Sequence, residues 1–194
     1  MEIEYEATFL EINKEEVREK LRENGARMIK KEFLMKREVF DLPKGHEIRG
    51  GWLRIRDEGD KITMSLKIIE GNVVSDNISN QKEVCLEIDN FENARIFLEK
   101  IGCIKKAYQE SKRELWELDN VEITIDEWPF LEPFIEIEGK NEEDVKKATK
   151  KLGFNYKDAF FGSADFLYAK KYGVHEDIVN DTPRIVFEEK NPFN

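Results

Sequence analysis

The stretch Glu2-Ile3-Glu4-Tyr5-Glu6-Ala7-Thr8-Phe9, at the beginning of the chain, decides the fold. In an extended strand, successive side chains point to opposite faces of the sheet. One face of this strand then carries Glu2, Glu4, Glu6 and Thr8, and the other carries Ile3, Tyr5, Ala7 and Phe9. The pattern predicts an amphipathic strand with an apolar side and an acidic side. Taken alone, it is equally typical of a strand with one face in water.

The same alternation recurs along the chain and predicts about eight antiparallel strands. They are expected at residues 2–9, 32–40, 52–56, 61–69, 81–89, 105–118, 121–126 and 134–138. Asn caps and terminal glycines predict helices at residues 13–24, 90–100, 141–152 and 163–172. Residues 71–80 are expected to form a loop. We predict one domain over residues 1–173, with residues 174–194 as a tail docked on it.

Charge of one sign is concentrated on particular strands. Glu4 and Glu6 share the first strand, and Arg54 and Arg56 share a later one. The charged residues that are sorted by strand in the same way are Lys67, Arg113, Asp126, Glu136 and Glu138. If the sheet closes with its apolar faces under helices, these charges line a cavity. Burying them is costly unless they pair or bind a charged ligand. Cations suit phosphate oxygens, and carboxylates suit a divalent metal.

Composition narrows the class of protein. The chain has 194 residues and a formal net charge of −10, which argues against a nucleic-acid-binding surface. We find no apolar run long enough for a membrane span and no secretory leader pattern. The two cysteines, Cys85 and Cys103, match no metal-binding spacing, so a reducing cytoplasm is the expected location.

Taken in order, these motifs resemble the CYTH family, also called triphosphate tunnel metalloenzymes. The family includes class IV adenylate cyclases, thiamine triphosphatases and inorganic triphosphatases. Glu4-x-Glu6-x-Thr8 is similar to its Glu-x-Glu-x-Lys signature, and Trp52-Leu53-Arg54-Ile55-Arg56 is similar to its Leu-Arg-Ile-Arg strand. The further matches are Lys67, Glu83, Lys112-Arg113, Asp126 and Phe134-Ile135-Glu136-Ile137-Glu138. The resemblance runs from Glu4 to about Tyr172.

The resemblance implies an α+β fold built on a closed or nearly closed antiparallel eight-stranded β-barrel with helices packed outside. It implies Mg²⁺ or Mn²⁺ held by Glu4, Glu6, Asp126, Glu136 and Glu138. It implies substrate binding by Lys36, Arg54, Arg56, Lys67, Glu83, Lys112 and Arg113. The expected catalytic residues are Glu4, Glu6, Lys67 and Asp126.

The implied activity is metal-dependent conversion of a triphosphate. The substrate would be ATP, inorganic triphosphate or thiamine triphosphate, and the product a cyclic nucleotide with pyrophosphate or a hydrolysed phosphate. The similarity leans slightly towards the class IV cyclases. We expect a monomer or homodimer without nucleic-acid or membrane partners.

Two positions depart from the family pattern. Thr8 stands where the family usually has Lys, and Cys85 stands where a second central carboxylate is often found. Lys36 or Arg37 on the next strand could supply the missing charge. These departures motivate an alternative, a non-catalytic protein that binds polyphosphate or nucleotide. A third interpretation, a sheet with a charged face and no ligand, fails to explain why acids and bases are sorted by strand.

Overall fold

The chain forms ten strands and five helices over the residues that the computed structural model describes, 1–70 and 77–194. The strands are β1 (Glu2–Ile3), β2 (Tyr5–Phe9), β3 (Arg27–Asp41), β4 (Gly51–Asp57), β5 (Ile62–Ile69), β6 (Gln81–Ile88), β7 (Ile104–Leu118), β8 (Val121–Glu127), β9 (Phe134–Gly139) and β10 (Arg184–Ile185). The helices are α1 (Lys14–Glu23), α2 (Phe91–Lys100), α3 (Glu142–Lys151), α4 (Ala164–Tyr172) and α5 (Glu176–Asn180). Most of the predicted loop at residues 71–80 lies outside the described residues.

The N-terminal segment brings the two edges of the sheet together. The strand order is β1-β6-β5-β4-β3-β7-β8-β9-β2, and Glu4 alone separates β1 from β2. β1 pairs with β6, and β2 pairs with β9, both antiparallel. The predicted antiparallel barrel is therefore confirmed. Its eighth strand is the split β1–β2 segment, and β10 adds a short parallel pairing to β7.

Helices α1 and α3 cover one side of the barrel. Asn13 caps α1 by accepting hydrogen bonds from the backbone N–H groups of Glu15 and Glu16. The apolar faces of β2, β8 and β9 meet these two helices in a core that contains the buried Leu21, Ile137 and others. Because this core takes the apolar side of each strand, the charged side must face inward.

Helix α2 covers a second side of the barrel. Asn90 caps it through the backbone N–H of Asn93, and its Leu98 packs with Phe40 and Ile55 from β3 and β4. Among the described residues, no helix is long and apolar enough to cross a membrane. Outside the reach of α2, the outer face of β6 leaves Val84 and Leu86 exposed.

The C-terminal residues pack across one end of the barrel. β10 pairs with β7 at Tyr108 and Gln109. Helices α4 and α5 share a core with Trp128 and Phe134, and Val179 and Ile185 of the tail are buried in it. The end of the barrel next to β7, β8 and β9 is therefore walled by residues that follow the last barrel strand.

Candidate functional site

A cavity of about 860 Å³ lies inside the barrel. Strand parity places inward-facing side chains from every barrel strand along it. The predicted site residues that line it are Glu4, Glu6, Arg54, Arg56, Lys67, Glu83, Arg113, Glu136 and Glu138. Thr8 also lines it, so the departure from the Lys of the family pattern lies on the cavity wall. The cavity is therefore lined by both acidic and basic groups.

Acidic side chains meet where β2 pairs with β9. Glu6 lies opposite Glu138, and Thr8 lies opposite Glu136. Burial, with the charges of Glu4 and Glu138, raises the pKa of Glu6 to about 7. Burial and the nearby Glu6 and Asp126 also raise the pKa of Glu136 well above its ordinary range. These carboxylates thus destabilise one another when ionised, and a cation placed among them relieves the repulsion.

Lys67 of β5 lines the cavity beside Glu4. Its Nζ lies 2.7 Å from Oε2 of Glu4, and its strand partner on β6 is Glu83. Burial raises the pKa of Glu4 to about 7 against the attraction of Lys67. Burial also disfavours the ionised Glu83, but a hydrogen bond with Glu4 and the charges of Arg54 and Lys67 lower its pKa to about 2. Burial and the second carboxylate thus oppose ionisation of Glu4, while the cations favour ionisation of Glu83.

Three arginines form a cationic cluster on β3 and β4. Arg37 is the strand partner of Arg56, and Val39 is the partner of Arg54. Burial and the charges of Arg54 and Arg113 lower the pKa of Arg56 to about 10. Burial and the other two arginines lower the pKa of Arg37 as well. Because these buried cations repel one another, an anion bound among them would stabilise their charged forms.

Arg54 has an incomplete set of partners. Its relative solvent exposure is 8%, and its Nη2 donates to Oε1 of Glu83 at 2.9 Å. Its Nε is buried without a hydrogen-bond partner in the described part of the chain. A buried donor without an acceptor is costly. A ligand oxygen in the cavity would satisfy it.

Arg113 is held by carboxylates. It donates from Nε and Nη2 to both oxygens of Asp126 at 2.8 and 2.7 Å, and from Nη2 to Glu136 at 2.6 Å. Asp126 is fully buried and also accepts from the hydroxyl of Thr124 at 2.9 Å. Its oxygens are occupied and it does not border the cavity. Asp126, predicted as a metal ligand and catalytic residue, is therefore not brought to the cavity wall, and its contacts in this structure are with Arg113 and Thr124.

Two predicted substrate ligands lie on the outer face of the sheet, away from the cavity. Lys36 is exposed on the outer face of β3, and Arg37, next to it, points into the cavity. Lys112 lies on the outer face of β7, where its Nζ is 3.4 Å from Glu127 and its ammonium stands over the ring of Phe187. Lys36 and Lys112 therefore do not line the cavity, in contrast to the other predicted substrate ligands. Arg37 and Arg113 are their inward neighbours.

Carboxylate oxygens around the β2–β9 pair fit a divalent metal by their chemistry. Glu4, Glu6, Glu136 and Glu138 are buried or half-buried, carry raised pKa values and share one wall. Hard cations such as Mg²⁺ and Mn²⁺ prefer such oxygens. Over residues 1–70 and 77–194, no three acidic, histidine or cysteine side chains converge as a preformed metal site. Glu4 and Glu136 would have to leave Lys67 and Arg113 to bind a metal.

Further cavity residues were not predicted from the sequence. Gln109 accepts from Nε of Arg37 at 2.7 Å, and the Arg37 guanidinium stacks over Trp128 at 4.1 Å from the ring centroid. Glu176, Asp177 and other residues of α5 also line the cavity. The sequence left open whether Lys36 or Arg37 faces inward. The α5 contribution could not be predicted, because no pattern linked the tail to the barrel interior.

Without metal, the protein is expected to lose stability as the pH rises from about 5 to about 8. The pKa of Glu6 is raised from 4.5 to about 7 in the folded state. The folded chain then binds more protons than the unfolded chain in this window, so the free energy of unfolding falls as the pH rises. For Glu6 the fall is on the order of 3 kcal/mol. Glu83, with a pKa of about 2, acts only at lower pH, where its contribution is lost as the pH falls.

The measurement is the free energy of unfolding by urea in EDTA between pH 5 and 8. Glu6→Gln should make this profile less steep, because it removes one of the carboxylates with a raised pKa. Glu143→Gln, on the exposed surface of α3, should leave the slope unchanged. A wild-type stability that is constant or rises across the window would contradict the expectation.

Known proteins share this architecture. The family model of the CYTH domain matches residues 2–165. A protein from Vibrio parahaemolyticus proposed to be an adenylate cyclase has 13% identity and a TM-score of 0.71, over 87% of this chain and 98% of that one. A conserved hypothetical protein from Pyrococcus furiosus has 22% identity and a TM-score of 0.64, over 80% and 94%.

A third solved structure comes from Hippeastrum. It is proposed to be an adenylyl cyclase and was found to have a dominant triphosphatase activity. It has 17% identity to this chain and a TM-score of 0.57, over 90% of this chain and 97% of that one. At these identities the similarity concerns the fold. No match was found among curated proteins.

Proposed function

The chain belongs to the CYTH domain family, and we propose that it is an enzyme that converts a triphosphate with the help of Mg²⁺ or Mn²⁺. The triphosphate would lie along the cavity between the arginine cluster and the carboxylates of β2 and β9. The reaction would be hydrolysis of the triphosphate or, for a nucleotide, cyclisation with release of pyrophosphate.

The arginine cluster carries the proposal. Arg37, Arg54 and Arg56 lie on adjacent strands, and burial with mutual repulsion lowers the pKa of Arg37 and Arg56. The buried Nε of Arg54 has no acceptor among the described residues. An extended polyanion would satisfy this donor and neutralise the cluster at the same time. A single carboxylate or phosphate would offer less charge than three guanidinium groups require.

Each group of residues would have a separate task. Arg54 and Arg56 would hold phosphate oxygens by charge-assisted hydrogen bonds. Arg113, fixed in orientation by Asp126, would present its guanidinium from β7, the strand next to β3. Lys67 would contribute a further cation when Glu4 turns to the metal. Positioning and charge neutralisation of this kind account for most of the catalysis of phosphoryl transfer.

Glu4, Glu6, Glu136 and Glu138 are the residues that would hold the metal. When bound, a divalent metal supplies Lewis-acid stabilisation of phosphate oxygens. A metal binds these residues in their ionised form and so competes with protons, because each has a raised pKa in the metal-free cavity. Metal binding is therefore expected to release protons near neutral pH.

The test is incubation with ATP, inorganic triphosphate and thiamine triphosphate, each with Mg²⁺ or Mn²⁺, followed by identification of the products. Cyclic nucleotide with pyrophosphate would identify a cyclase, and released phosphate a triphosphatase. Binding without turnover would favour the non-catalytic alternative that Thr8 and Cys85 suggest. Failure of all three compounds to bind would overturn the proposal.

Loss of Arg54 or Arg56 is expected to weaken triphosphate binding strongly. Each Arg→Ala change removes charge-assisted hydrogen bonds worth about 1.5–3 kcal/mol, which corresponds to roughly a 10- to 150-fold loss of affinity. The measurement is calorimetric titration of each variant with inorganic triphosphate. Lys36→Ala is the matched control, because Lys36 is a cation on the exposed outer face of the neighbouring strand. Unchanged affinity in both arginine variants would show that they are not ligands.

A further inference from the structure

We propose that Phe193 is a positioning residue for the triphosphate site. Through Tyr168 and Tyr172 of α4 it fixes the turn that carries Trp128, and Trp128 in turn supports Arg37. The inference rests on the proposed function, because Arg37 belongs to the arginine cluster that is proposed to hold the triphosphate. The match with the CYTH domain ends at residue 165, so Phe193 and both tyrosines lie outside it.

Arg37 is oriented by uncharged groups. Its Nε donates to Oε1 of Gln109 at 2.7 Å, and its guanidinium lies over the Trp128 ring at 4.1 Å from the centroid. The other two arginines of the cluster are each hydrogen-bonded to a glutamate, whereas Arg37 forms no direct ion pair in the part of the chain that the structure describes. Burial and those two arginines lower its pKa, and the charge of Asp165 opposes this lowering. Gln109 and the Trp128 ring therefore set the orientation of this guanidinium.

Trp128 follows β8 in a turn with an unfavourable backbone conformation. The N–H of Leu131 donates to the carbonyl of Trp128 at 3.2 Å, and Phe130 within the turn has a φ of 66°. For a bulky residue this left-handed conformation is rare and persists only when surrounding contacts hold it. Lys171 provides one such contact, because its Nζ donates to the carbonyl of Phe130 at 2.7 Å. The position of Trp128 thus depends on contacts made to the turn.

Two tyrosines of α4 supply further contacts to this turn. The hydroxyl of Tyr168 donates to the carbonyl of Pro129 at 2.7 Å, and that of Tyr172 donates to the carbonyl of Phe130 at 2.6 Å. Tyr168 is fully buried, and its ring meets the Trp128 ring edge to face, with 6.4 Å between the centroids. The tyrosines therefore fix two consecutive carbonyls of the turn and contact Trp128 directly.

Phe193 packs against both tyrosine rings. Its ring centroid lies 5.1 Å from that of Tyr168 and 5.4 Å from that of Tyr172, and the second pair is stacked. Its backbone N–H donates to Oδ1 of Asn191 at 2.9 Å, which holds the chain beside the rings. Phe193 is itself half-buried, so its loss removes a support of the tyrosines and leaves the centre of the core in place. Ligand binding would then have to order the turn and Arg37, and this ordering lowers affinity.

The first experiment is calorimetric titration with inorganic triphosphate in EDTA, which prevents metal-dependent turnover. Phe193→Ala is expected to bind about fivefold more weakly than wild type, because the support for a cation–π contact is lost. Phe193→Tyr keeps the ring and should bind as wild type does. Phe187→Ala is the matched control and should also bind as wild type does. Phe187 is half-buried in the same tail, but it contacts Lys112 on the outer face of β7.

A double-mutant cycle tests whether Phe193 acts through Arg37. In the Arg37→Met background, Phe193→Ala should change the affinity by less than about twofold, because the side chain that it positions is gone. Should Phe193→Ala fail to fold, Tyr172→Phe takes its place in the cycle, since it removes only a hydroxyl and its hydrogen bond to Phe130. The same weakening of affinity, and the same dependence on Arg37, is expected for it.

Unchanged affinity in Phe193→Ala would overturn the inference. An equal loss of affinity with and without Arg37, or an equal loss in Phe187→Ala, would overturn it too, because the tail would then act on the fold as a whole. In each of these cases the proposed function still stands. A wild type that does not bind inorganic triphosphate would instead contradict the proposed function, and the inference with it.

Discussion

Glu136→Gln and Glu138→Gln are each expected to reduce metal-dependent turnover by at least about 100-fold while the fold is retained. Both side chains face the cavity from β9, opposite Thr8 and Glu6 of β2. Each substitution removes an anionic oxygen from the proposed metal site, and even indirect disturbance of metal ligands costs about 10- to 100-fold. The measurement is turnover as a function of Mg²⁺ and Mn²⁺ concentration.

The thermal stability of the variants distinguishes the loss of a metal ligand from the loss of the folded structure. Burial raises the pKa of both glutamates in the metal-free protein. Their neutral replacements should therefore leave the thermal midpoint in EDTA unchanged or increase it, since repulsion among like charges is relieved. Glu143→Gln on α3 is the control for an exposed Glu. Full turnover in both β9 variants would remove these residues from the metal site.

Arg113→Met is expected to destabilise the folded protein by about 3–5 kcal/mol, because it leaves buried carboxylates without their partner. Arg113 contacts both oxygens of the fully buried Asp126 and also Glu136. Its loss therefore differs from the loss of Arg54, which should act mainly on ligand affinity. The measurement is the free energy of unfolding by urea at neutral pH.

A double variant tests the origin of that cost. Arg113→Met/Asp126→Leu removes the charge that the single change leaves unpaired. It should be more stable than Arg113→Met, because a buried ion pair replaced by apolar groups is often nearly neutral. Arg27→Ala provides the control for an exposed arginine in an ion pair, with Glu117, and should change stability by less than about 1 kcal/mol. A double variant as unstable as the sum of its parts would show that Asp126 does not need Arg113.

Strand positions and inward charges followed from local sequence. The period of two placed Glu4, Glu6 and Thr8 on one face, and the structure keeps all three on the cavity wall. Arg54 and Arg56 were placed inward by the same rule. These strands are short and regular, so a single parity holds from end to end. Asn13, Asn90 and Asn141 marked the helix starts, because their side chains accept from the first free N–H groups.

The alternation of side chains did not decide which residues of the two long strands face the cavity. β3 and β7 each span 15 residues, and their pairing shifts register between Met28 and Lys30, Lys30 and Phe33, and Val39 and Phe40. Each irregularity can move a side chain to the other face. Both faces of these strands also carry charge, so composition could not decide between Lys36 and Arg37 or between Lys112 and Arg113. Register with the neighbouring strands decided it.

The sequence by itself determined the alternating strands, the capped helices and the separation of acids from bases, because those features depend on neighbours a few residues apart. Tertiary structure decided which charges meet. The bidentate Arg113–Asp126 pair, the stacking of Arg37 on Trp128 and the approach of α5 to the cavity join residues that are far apart in sequence. Such contacts depend on strand register and on closure of the barrel, and a one-residue change of register would turn the strand residues among them to the other face.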